Sequence, residues 1–389
     1  MSRFPEVSRA GAAVPASIFI RLREHLARFP GDVIPLQIGD THLAPPARLD
    51  AIAWAELAAV DVYAYNNANG WGPLVDALVE KARVRNRIPV GPAGVQVAVG
   101  ATHALACAVQ AVCDPGDELI LLTPHWPLIR GIALGYNVVP VEVPFTLHGA
   151  ERSPDDAVAR IEAAITPRTT ALYFATPNNP DGAMYTPEVL AAIAAVCAKH
   201  GLWILSDEVY EDYTFDGAHA SIAAVPGAAE RTITVFSFSK SYAQAGLRVG
   251  YAFGPDAAIA TIKKLVNHSV YNVPVAMQRA ALAALTSGAP FLASAKATYA
   301  AARDRARARL RAPSATPPGA AYLWVDFRAW TGDDCMPILE RCAAAGVLLA
   351  PGHAFGAMCG GWARLCYTGV PAERLEQGID RINAALEGL

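Results

Sequence analysis

The sequence predicts an α/β domain with a mostly parallel seven-stranded sheet, followed by a smaller α+β domain. Three observations support this prediction. Seven short apolar segments lie between residues 95 and 253, alanine-rich segments separate most of them, and the pattern changes after about residue 285. Buried strands that alternate with helices are typical of a parallel sheet covered on both faces. A chain of 389 residues is also long enough for two domains.

The strand candidates are apolar at successive positions, as expected for strands buried on both faces of a sheet. They are VQVAV (95–99), ELILL (118–122), NVVPVEV (137–143), TTALYF (169–174), LWILS (202–206), TITVF (232–236) and LRVGYAF (247–253). Helical candidates between them cover 102–112, 155–165 and 187–199. No long helix joins the last two strand candidates, so we expect one of them to run antiparallel.

The N-terminal region predicts an arm followed by an amphipathic helix. Residues 10–20 (AGAAVPASIFI) could imitate a secretory signal, but Pro15 interrupts them and the pattern continues into IRLREHLARF. Apolar residues with helical spacing and charges between them favour the helix. These residues are Ile18, Leu22, Leu26 and Phe29.

The C-terminal region predicts the smaller domain. Helical patterns cover 291–312, 333–345 and 371–387, and the strand candidates AYLWVDF, VLLAP and WARLCY lie between them. We assign residues 1–45 to the arm and part of the small domain, 46–285 to the large domain, and 286–389 to the small domain.

Composition excludes several classes of function. The net charge is −3 with no Lys/Arg block, which argues against a nucleic-acid surface. The seven cysteines are scattered without a CxxC pair, and the nine histidines show no ligand spacing, so we expect reduced thiols and no metal site. No apolar run reaches the ~18 residues that would span a membrane. We therefore expect a soluble cytoplasmic protein.

Candidate ligand-binding residues follow several strands, at the edge where open α/β sheets bind ligands. After Gly100, Ala101 and Thr102 open a helix whose free N–H groups can hold an anion, although Thr102 could instead be a plain N-cap. Trp126 lies in a proline-bounded loop, where it could stack on a flat ligand or belong to the core. Asn179, in TPNNPDG, could present its amide to a ligand or belong to an ordinary Asn-Pro turn.

A fourth strand candidate is followed by an acidic residue. Asp207 closes LWILS, where a carboxylate without a cationic partner would be costly. The nitrogen of a pyridine ring is a natural partner, because the carboxylate keeps it protonated and makes the ring an electron sink. Tyr210, three residues on, could donate a hydrogen bond to a phenolic oxygen of the same ring.

The segment SFSK suggests which pyridine it is. Lys240 stands near Ser237, and Arg248 follows eight positions later. Pyridoxal 5′-phosphate (PLP) needs an amine for its aldehyde, with arginine and hydroxyl donors for its phosphate. By itself, a Ser-Lys pair is more often an exposed lysine in a turn.

A further candidate is Arg364, at the start of a strand candidate in GGWARLCYTG. Its guanidinium suits bidentate capture of a substrate carboxylate, although a lone arginine is usually a surface residue.

Together, in this order, these residues resemble the class I/II aminotransferase family of fold-type I PLP enzymes over essentially the full chain. The matching motifs are PLQIGD (35–40), YNNANGWGPLVDAL (65–78), GATHAL (100–105), DPGDE (114–118), NNPDG (178–182), DEVY (207–210), SFSK with Arg248, and PGHAFG with Arg364.

The resemblance implies a role for each matching residue. Lys240 would bind the cofactor aldehyde and later move the substrate proton, while Asp207 would pair with the ring nitrogen. Asn179 and Tyr210 would bond the phenolic oxygen, and Trp126 would stack on the ring. The phosphate would be held by Ala101, Thr102, Ser237 and Arg248. The substrate α-carboxylate would be held by Arg364, Asn179 and the backbone of Gly39. Tyr65 would reach the phosphate of a neighbouring subunit, which implies a homodimer with shared sites.

The implied reaction moves an amino group between an amino acid and a 2-oxo acid. Asp181, Gln244 and His353 depart from the family's usual pattern, and Asn267 stands where dicarboxylate-specific members carry an arginine. We therefore expect a neutral or aromatic side-chain preference.

Other reactions and folds remain as alternatives. One is a PLP-dependent lyase, cyclase or decarboxylase of the same fold. A regulator with this fold would need a preceding DNA-binding domain, for which the sequence leaves no room, and a nicotinamide dehydrogenase would need a GxGxxG motif after an early strand.

Overall fold

A computed structural model describes residues 7–16, 20–27, 29–46, 62–146 and 153–387 of the chain. Within these ranges, a seven-stranded sheet lies beside a three-stranded and a two-stranded sheet. The N-terminal part contributes α1 (Arg9–Ala13), α2 (Ile20–Leu26) and β1 (Ile34–Pro35). The predicted N-terminal helix therefore ends at Leu26, before Phe29, while Ile18 falls outside the described residues.

The seven predicted strands form the large sheet. They are β2 (Val95–Val99), β3 (Glu118–Thr123), β4 (Val139–Pro144), β5 (Thr169–Ala175), β6 (Trp203–Asp207), β7 (Thr232–Ser237) and β8 (Val249–Phe253), in the order β2-β8-β7-β6-β5-β3-β4. β8 is antiparallel to both β2 and β7. The other neighbours are parallel, so the prediction of one antiparallel strand among the last two is confirmed.

Helices follow most of these strands and cover both faces of the sheet. They are α3 (Gly72–Lys81), α4 (Gly100–Val112), α5 (Pro127–Gly135), α6 (Pro154–Ala164), α7 (Pro187–His200), α8 (Phe238–Ser241), α9 (Asp256–Ser269), α10 (Val275–Ser287) and α11 (Ala289–Arg309). Along β3, Leu119 and Leu121 pack with α4, α5 and α9, whereas Ile120 and Leu122 pack with α6 and α7. Successive side chains of a strand point to opposite faces, which explains why both sets are apolar.

The C-terminal elements are β9 (Tyr322–Asp326), α12 (Arg328–Thr331), α13 (Met336–Ala344), β10 (Val347–Leu348), β11 (Ala350–Pro351), β12 (Trp362–Cys366) and α14 (Ala372–Ala385). The predicted strand VLLAP is split, because β10 pairs with β1 while β11 pairs with β12. Ile34 and Leu36 share a hydrophobic core with α11, α13 and α14. The domain boundaries near residues 45 and 285 stay predictions. Among the described helices, none is long and apolar enough to cross a membrane.

Candidate active site

A cavity of about 230 Å³ lies at the carboxyl ends of β5, β6 and β7. Parallel strands bring these ends to one edge of the sheet, where ligands of α/β proteins bind. The cavity is lined by eleven of the twelve residues for which the sequence predicts a site role: Gly39, Ala101, Thr102, Trp126, Asn179, Asp207, Tyr210, Ser237, Lys240, Arg248 and Arg364. The twelfth, Tyr65, is 79% exposed and lies against Tyr271, with 4.3 Å between ring centroids.

One end of the cavity can hold an anion. Helix α4 begins at Gly100, so Thr102 lies inside the first turn and is not the N-cap. No side chain caps the first N–H groups of this helix, which leaves them available to a ligand. Gly100 has a φ of 75°, and a Cβ there would collide with the guanidinium of Arg248. Gly250 leaves room in the same way, because a Cβ there would strike the backbone N of Ala101. A helix start and a guanidinium therefore meet at this end, which is a suitable environment for a phosphate group.

Two further contacts hold this anion end in place. Nη1 of Arg248 donates a hydrogen bond to the carbonyl oxygen of Ala245 at 2.7 Å. Ser237 is the N-cap of α8, and its Oγ accepts a hydrogen bond from the backbone N–H of Ser239 at 3.1 Å. Because a hydroxyl can also donate, Ser237 retains an O–H for a ligand in the cavity.

A buried carboxylate stands at the end of β6. Asp207 is 5% exposed, and it accepts hydrogen bonds from the hydroxyl of Tyr173 at 3.1 Å and the backbone N–H of Val209 at 3.4 Å. Burial raises the pKa of Asp207 to about 6, although these donors and the nearby Lys240 act in the opposite direction. A protonated ring nitrogen beside Asp207 would supply the cationic partner that the buried carboxylate needs.

The lysine of SFSK is half-buried and lies in a helix, not in an exposed turn. Lys240 lies in α8, and its Nζ donates a hydrogen bond to the carbonyl oxygen of Gly39. Burial lowers the pKa of the Lys240 ammonium, while Asp40 acts to raise it. A neutral amine is the form that attacks an aldehyde, so this environment favours covalent attachment of one.

Arg364 lies at the centre of β12 instead of at the start of a strand, because pairing with β9 already begins at Trp362. Arg364 is 7% exposed, and it donates hydrogen bonds to Oδ1 of Asn179 at 2.8 Å and to the carbonyl oxygen of Gln37 at 2.6 Å. Its Nε has no hydrogen-bond partner among the residues that the structure describes. A buried guanidinium with a spare donor beside the cavity suits a carboxylate ligand.

Tyr322 also lines the cavity, and the sequence did not indicate it. Its hydroxyl shares a hydrogen bond with that of Tyr210, and its ring lies beneath the guanidinium of Arg364, with 4.4 Å from the guanidinium carbon to the ring centroid. A Cβ at Gly39 would collide with the Tyr322 hydroxyl. In AYLWVDF this tyrosine is indistinguishable from a core residue, and only the pairing of β9 with β12 brings it to the site.

The departures from the family pattern lie mostly outside the cavity. Asp181 accepts hydrogen bonds from Nδ2 of Asn178 and from the hydroxyl of Thr146, and so holds the turn before Asn179. Gln244 is buried and donates to the carbonyl oxygen of Ala280. Asn267 lies on α9 and does not border the cavity of its own chain.

A second, larger cleft of about 1320 Å³ opens outward from the cavity. Gly39, Trp126 and Arg364 line both spaces. The cleft is also bordered by residues 14–16, by Glu24 and His25 of α2, by the first turns of α5, by Glu142 and Glu340, and by residues 353–357, which include His353. It also contains Arg130, a second arginine that the sequence analysis missed, although its position four residues after Trp126 placed both residues on one face of a helix.

The residues of the cavity fit PLP. The helix start with Arg248 would hold the phosphate, Asp207 would pair with the ring nitrogen, and Lys240 would bind the aldehyde. This assignment gives a partner of opposite charge both to the uncapped helix start and to the buried carboxylate of Asp207. It also gives the amine of Lys240 a carbonyl to attack.

Comparisons with known proteins agree with this fit. A family model described as aminotransferase class I and II matches residues 32–382. A probable aspartate/prephenate aminotransferase of Thermus aquaticus is 35% identical over 362 residues, covering 92% of each chain. Arginine–pyruvate transaminase AruH of Pseudomonas aeruginosa is also 35% identical, covering 90% of this chain and 89% of that protein. The structure of Thermus thermophilus aspartate aminotransferase with maleate superposes with a TM-score of 0.88 at 32% identity, covering 98% of this chain and 100% of that one.

The family match extends over nine-tenths of the chain, from β1 to the last helix, and therefore includes every residue that lines the cavity. The relatives share both the sequence and the fold of this chain across the large sheet and the smaller ones. The chain accordingly belongs to the class I and II aminotransferase family and is a PLP-dependent aminotransferase.

Proposed function

We propose that this aminotransferase takes neutral or aromatic amino acids as its donors, with Lys240 as the residue that binds the cofactor and moves the substrate α-proton. The observation that carries the proposal is the single cavity in which Lys240, Asp207 and Arg364 meet the anion-binding start of α4. Catalytic groups need this kind of fixed arrangement, because chemistry depends on their relative positions.

When bound, PLP supplies an aldehyde that condenses with amines and a ring that withdraws electrons from the substrate α-carbon. Asp207 supports that chemistry by presenting a carboxylate where a positive ring nitrogen would compensate for its burial. Lys240 serves as the base that takes the α-proton and returns it, because burial lowers the pKa of its ammonium and so favours the neutral amine. Tyr210 and Asn179 would donate hydrogen bonds to the ring's phenolic oxygen.

Arg364 orients the substrate by holding its α-carboxylate. Its Nε has no partner in the described part of the chain, and Asn179 and the backbone of Gly39 lie beside it. Tyr322 beneath the guanidinium limits its movement, so the α-carboxylate is held at a fixed place relative to Lys240.

The side-chain preference follows from the groups where the cavity meets the outer cleft. The outer cleft is lined by apolar residues that include Ile38, Trp126, Leu128, Ala354 and Phe355, and Trp126 lines the cavity as well. The short side chain of aspartate would leave its carboxylate among them, at a cost of several kcal/mol for an unpaired charge. Relatives with names that include aspartate, prephenate or arginine agree on the reaction but differ in substrate. The lyase, cyclase and decarboxylase alternatives find no support among them.

The proposal includes a homodimer in which Tyr65 reaches the neighbouring subunit's phosphate. Its support is that Tyr65 is largely exposed and lies away from the cavity of its own chain. A cytoplasmic location is proposed as well. All seven cysteines are buried and none forms a disulfide, as is usual in a reducing compartment.

The test is the first half-reaction. PLP-loaded protein is mixed with phenylalanine, leucine, aspartate or glutamate in the absence of a 2-oxo acid, and conversion to the pyridoxamine form is followed by absorbance. Phenylalanine and leucine are expected to react faster than aspartate and glutamate. Lys240→Ala is the control and should give no conversion. Faster conversion by aspartate than by either neutral donor would contradict the preference, and no conversion by any donor would contradict the assigned roles.

A further inference from the structure

Arg130 lies on the wall of the outer cleft that begins at the site. Trp126 is the N-cap of α5, and Arg130 follows four residues later on the same face. Both residues line the cleft, together with Pro127, Leu128 and Gly131. Four residues correspond to about 6 Å along a helix axis, so a side chain that passes Trp126 and follows α5 reaches Arg130 about one turn further out.

The guanidinium of Arg130 is only loosely engaged. Its Nε lies 3.6 Å from Oε1 of Glu142, beyond hydrogen-bond distance, and Arg130 makes no hydrogen bond to any residue in the described ranges. Glu142 is held by other partners, since its Oε2 accepts the backbone N–H of Ala357 at 2.7 Å and its Oε1 lies 3.6 Å from Nε2 of His125. The Arg130 side chain is 44% exposed toward the cleft, so its terminal N–H groups can receive a second carboxylate.

Apart from Glu142, the acidic residues of the cleft stand on another wall. Glu24 and His25 belong to α2, and Glu340 of α13 lies 3.9 Å from His25. Helix α2 packs on α13, whereas Arg130 belongs to α5. A side chain that extends along α5 therefore meets Arg130 after an apolar stretch. The carboxylate beside that arginine, Glu142, already has Ala357 and His125 as partners.

We propose that Arg130 binds a carboxylate at the far end of a long or ring-containing substrate side chain, so that the enzyme accepts such amino acids in addition to neutral and aromatic donors. The inference depends on the proposed function, because it places the α-carboxylate on Arg364. The two arginines then hold the two ends of one substrate, with the apolar junction around Trp126 between them. Aspartate and glutamate are too short to span it, so this inference agrees with their exclusion.

Binding of substrate analogues that lack the amino group tests the proposal without turnover. Calorimetry on the PLP-loaded protein compares 3-phenylpropionate with 3-(4-carboxyphenyl)propionate. We expect the dicarboxylate to bind at least as tightly as the monocarboxylate in the natural protein. In Arg130→Gln, the ratio of the two dissociation constants should shift about fivefold against the dicarboxylate, as for a partly exposed ion pair. Arg130→Glu should shift it further, because the new carboxylate repels the ligand.

Arg160→Gln is the matched control. Arg160 is 37% exposed, pairs with the carboxylate of Asp156 and borders neither the cavity nor the cleft, so the ratio of dissociation constants should stay unchanged in Arg160→Gln.

Steady-state kinetics provide a second test, in which Arg130→Gln should raise KM for 4-carboxyphenylalanine relative to KM for phenylalanine. Weaker binding of the dicarboxylate by the natural protein, or the same ratio in all variants, would overturn the proposal. If either of these results is found and the enzyme still reacts with phenylalanine, the proposed function stands. If the enzyme reacts with neither phenylalanine nor 4-carboxyphenylalanine, the proposed function is overturned as well.

Discussion

Replacing Asp207 with asparagine removes one buried negative charge, and its effect on stability follows from the pKa of the carboxyl. Burial raises the pKa of Asp207 to about 6, against 3.8 for the unperturbed group. One pKa unit corresponds to 1.36 kcal/mol, so holding this carboxylate ionised costs the cofactor-free protein about 3 kcal/mol above pH 6. Since the folded-state pKa is raised, the folded protein binds this proton more tightly than the unfolded chain.

The sign of the pH dependence is therefore fixed. Stability that Asp207 contributes at low pH is lost as the pH rises through the window from 3.8 to about 6, and Asp207→Asn does not suffer this loss. The difference in the free energy of unfolding should grow by about 2 kcal/mol in favour of the variant between pH 4.5 and 8. Asparagine has one acceptor oxygen for the donors Tyr173 and Val209, which adds a destabilising offset that does not depend on pH.

The assay is urea unfolding of cofactor-free protein at several pH values, with and without added PLP. Added PLP should stabilise the natural protein more than the variant, because only the natural protein can pair a carboxylate with the ring nitrogen. Asp380→Asn is the control, because its effect on the free energy of unfolding should change with pH in the opposite direction. The partner Arg309 lowers the pKa of Asp380, so that carboxylate favours folding above the pKa of the unfolded state. A difference between natural protein and Asp207→Asn that does not change with pH would refute the reasoning.

Three further outcomes follow from the site. Lys240→Ala and Tyr65→Ala chains, each inactive alone, should regain activity when mixed, because a hybrid dimer holds one intact site; no recovery despite demonstrated subunit exchange would place Tyr65 in its own subunit's site. Gly100→Ala should weaken PLP binding about tenfold in a fluorescence titration, since the new Cβ displaces the Arg248 guanidinium and the positive φ disfavours a side chain; unchanged affinity would remove Arg248 from the phosphate site. Arg364→Lys should raise KM about tenfold or more across all amino acids, because an ammonium cannot form the bidentate pair; an unchanged KM would mean that the α-carboxylate binds elsewhere.

Much of the large sheet could be predicted because its strands are apolar on both faces and stand out as continuous segments. The residues that follow them were predicted equally well, since parallel topology places Asn179, Asp207 and Ser237 at one edge. The predicted ends of helices and strands were less accurate where the conformation of a turn determines where the element begins. Helix α4, for example, begins at Gly100 instead of residue 102, because the positive φ of that glycine lets the chain enter the helix directly from β2.

The remaining features depend on contacts between distant segments. Tyr322 reaches the cavity only because β9 pairs with β12, and VLLAP splits because its halves find partners in different sheets. Arg130 was missed because an arginine on a helix is usually a surface residue. The cleft on which its role depends is formed by segments that lie far apart in the sequence. Local sequence patterns carry no signal for such contacts.

The central claim is that Lys240 carries the cofactor, and it can be measured directly. PLP-loaded protein is reduced with borohydride, digested, and searched by mass spectrometry for the pyridoxyl group. We expect the group on the peptide that contains Lys240, at near-stoichiometric amount, and its loss in Lys240→Ala. The group on Lys263, Lys264 or any other lysine, with Lys240 unmodified, would contradict the account of the site.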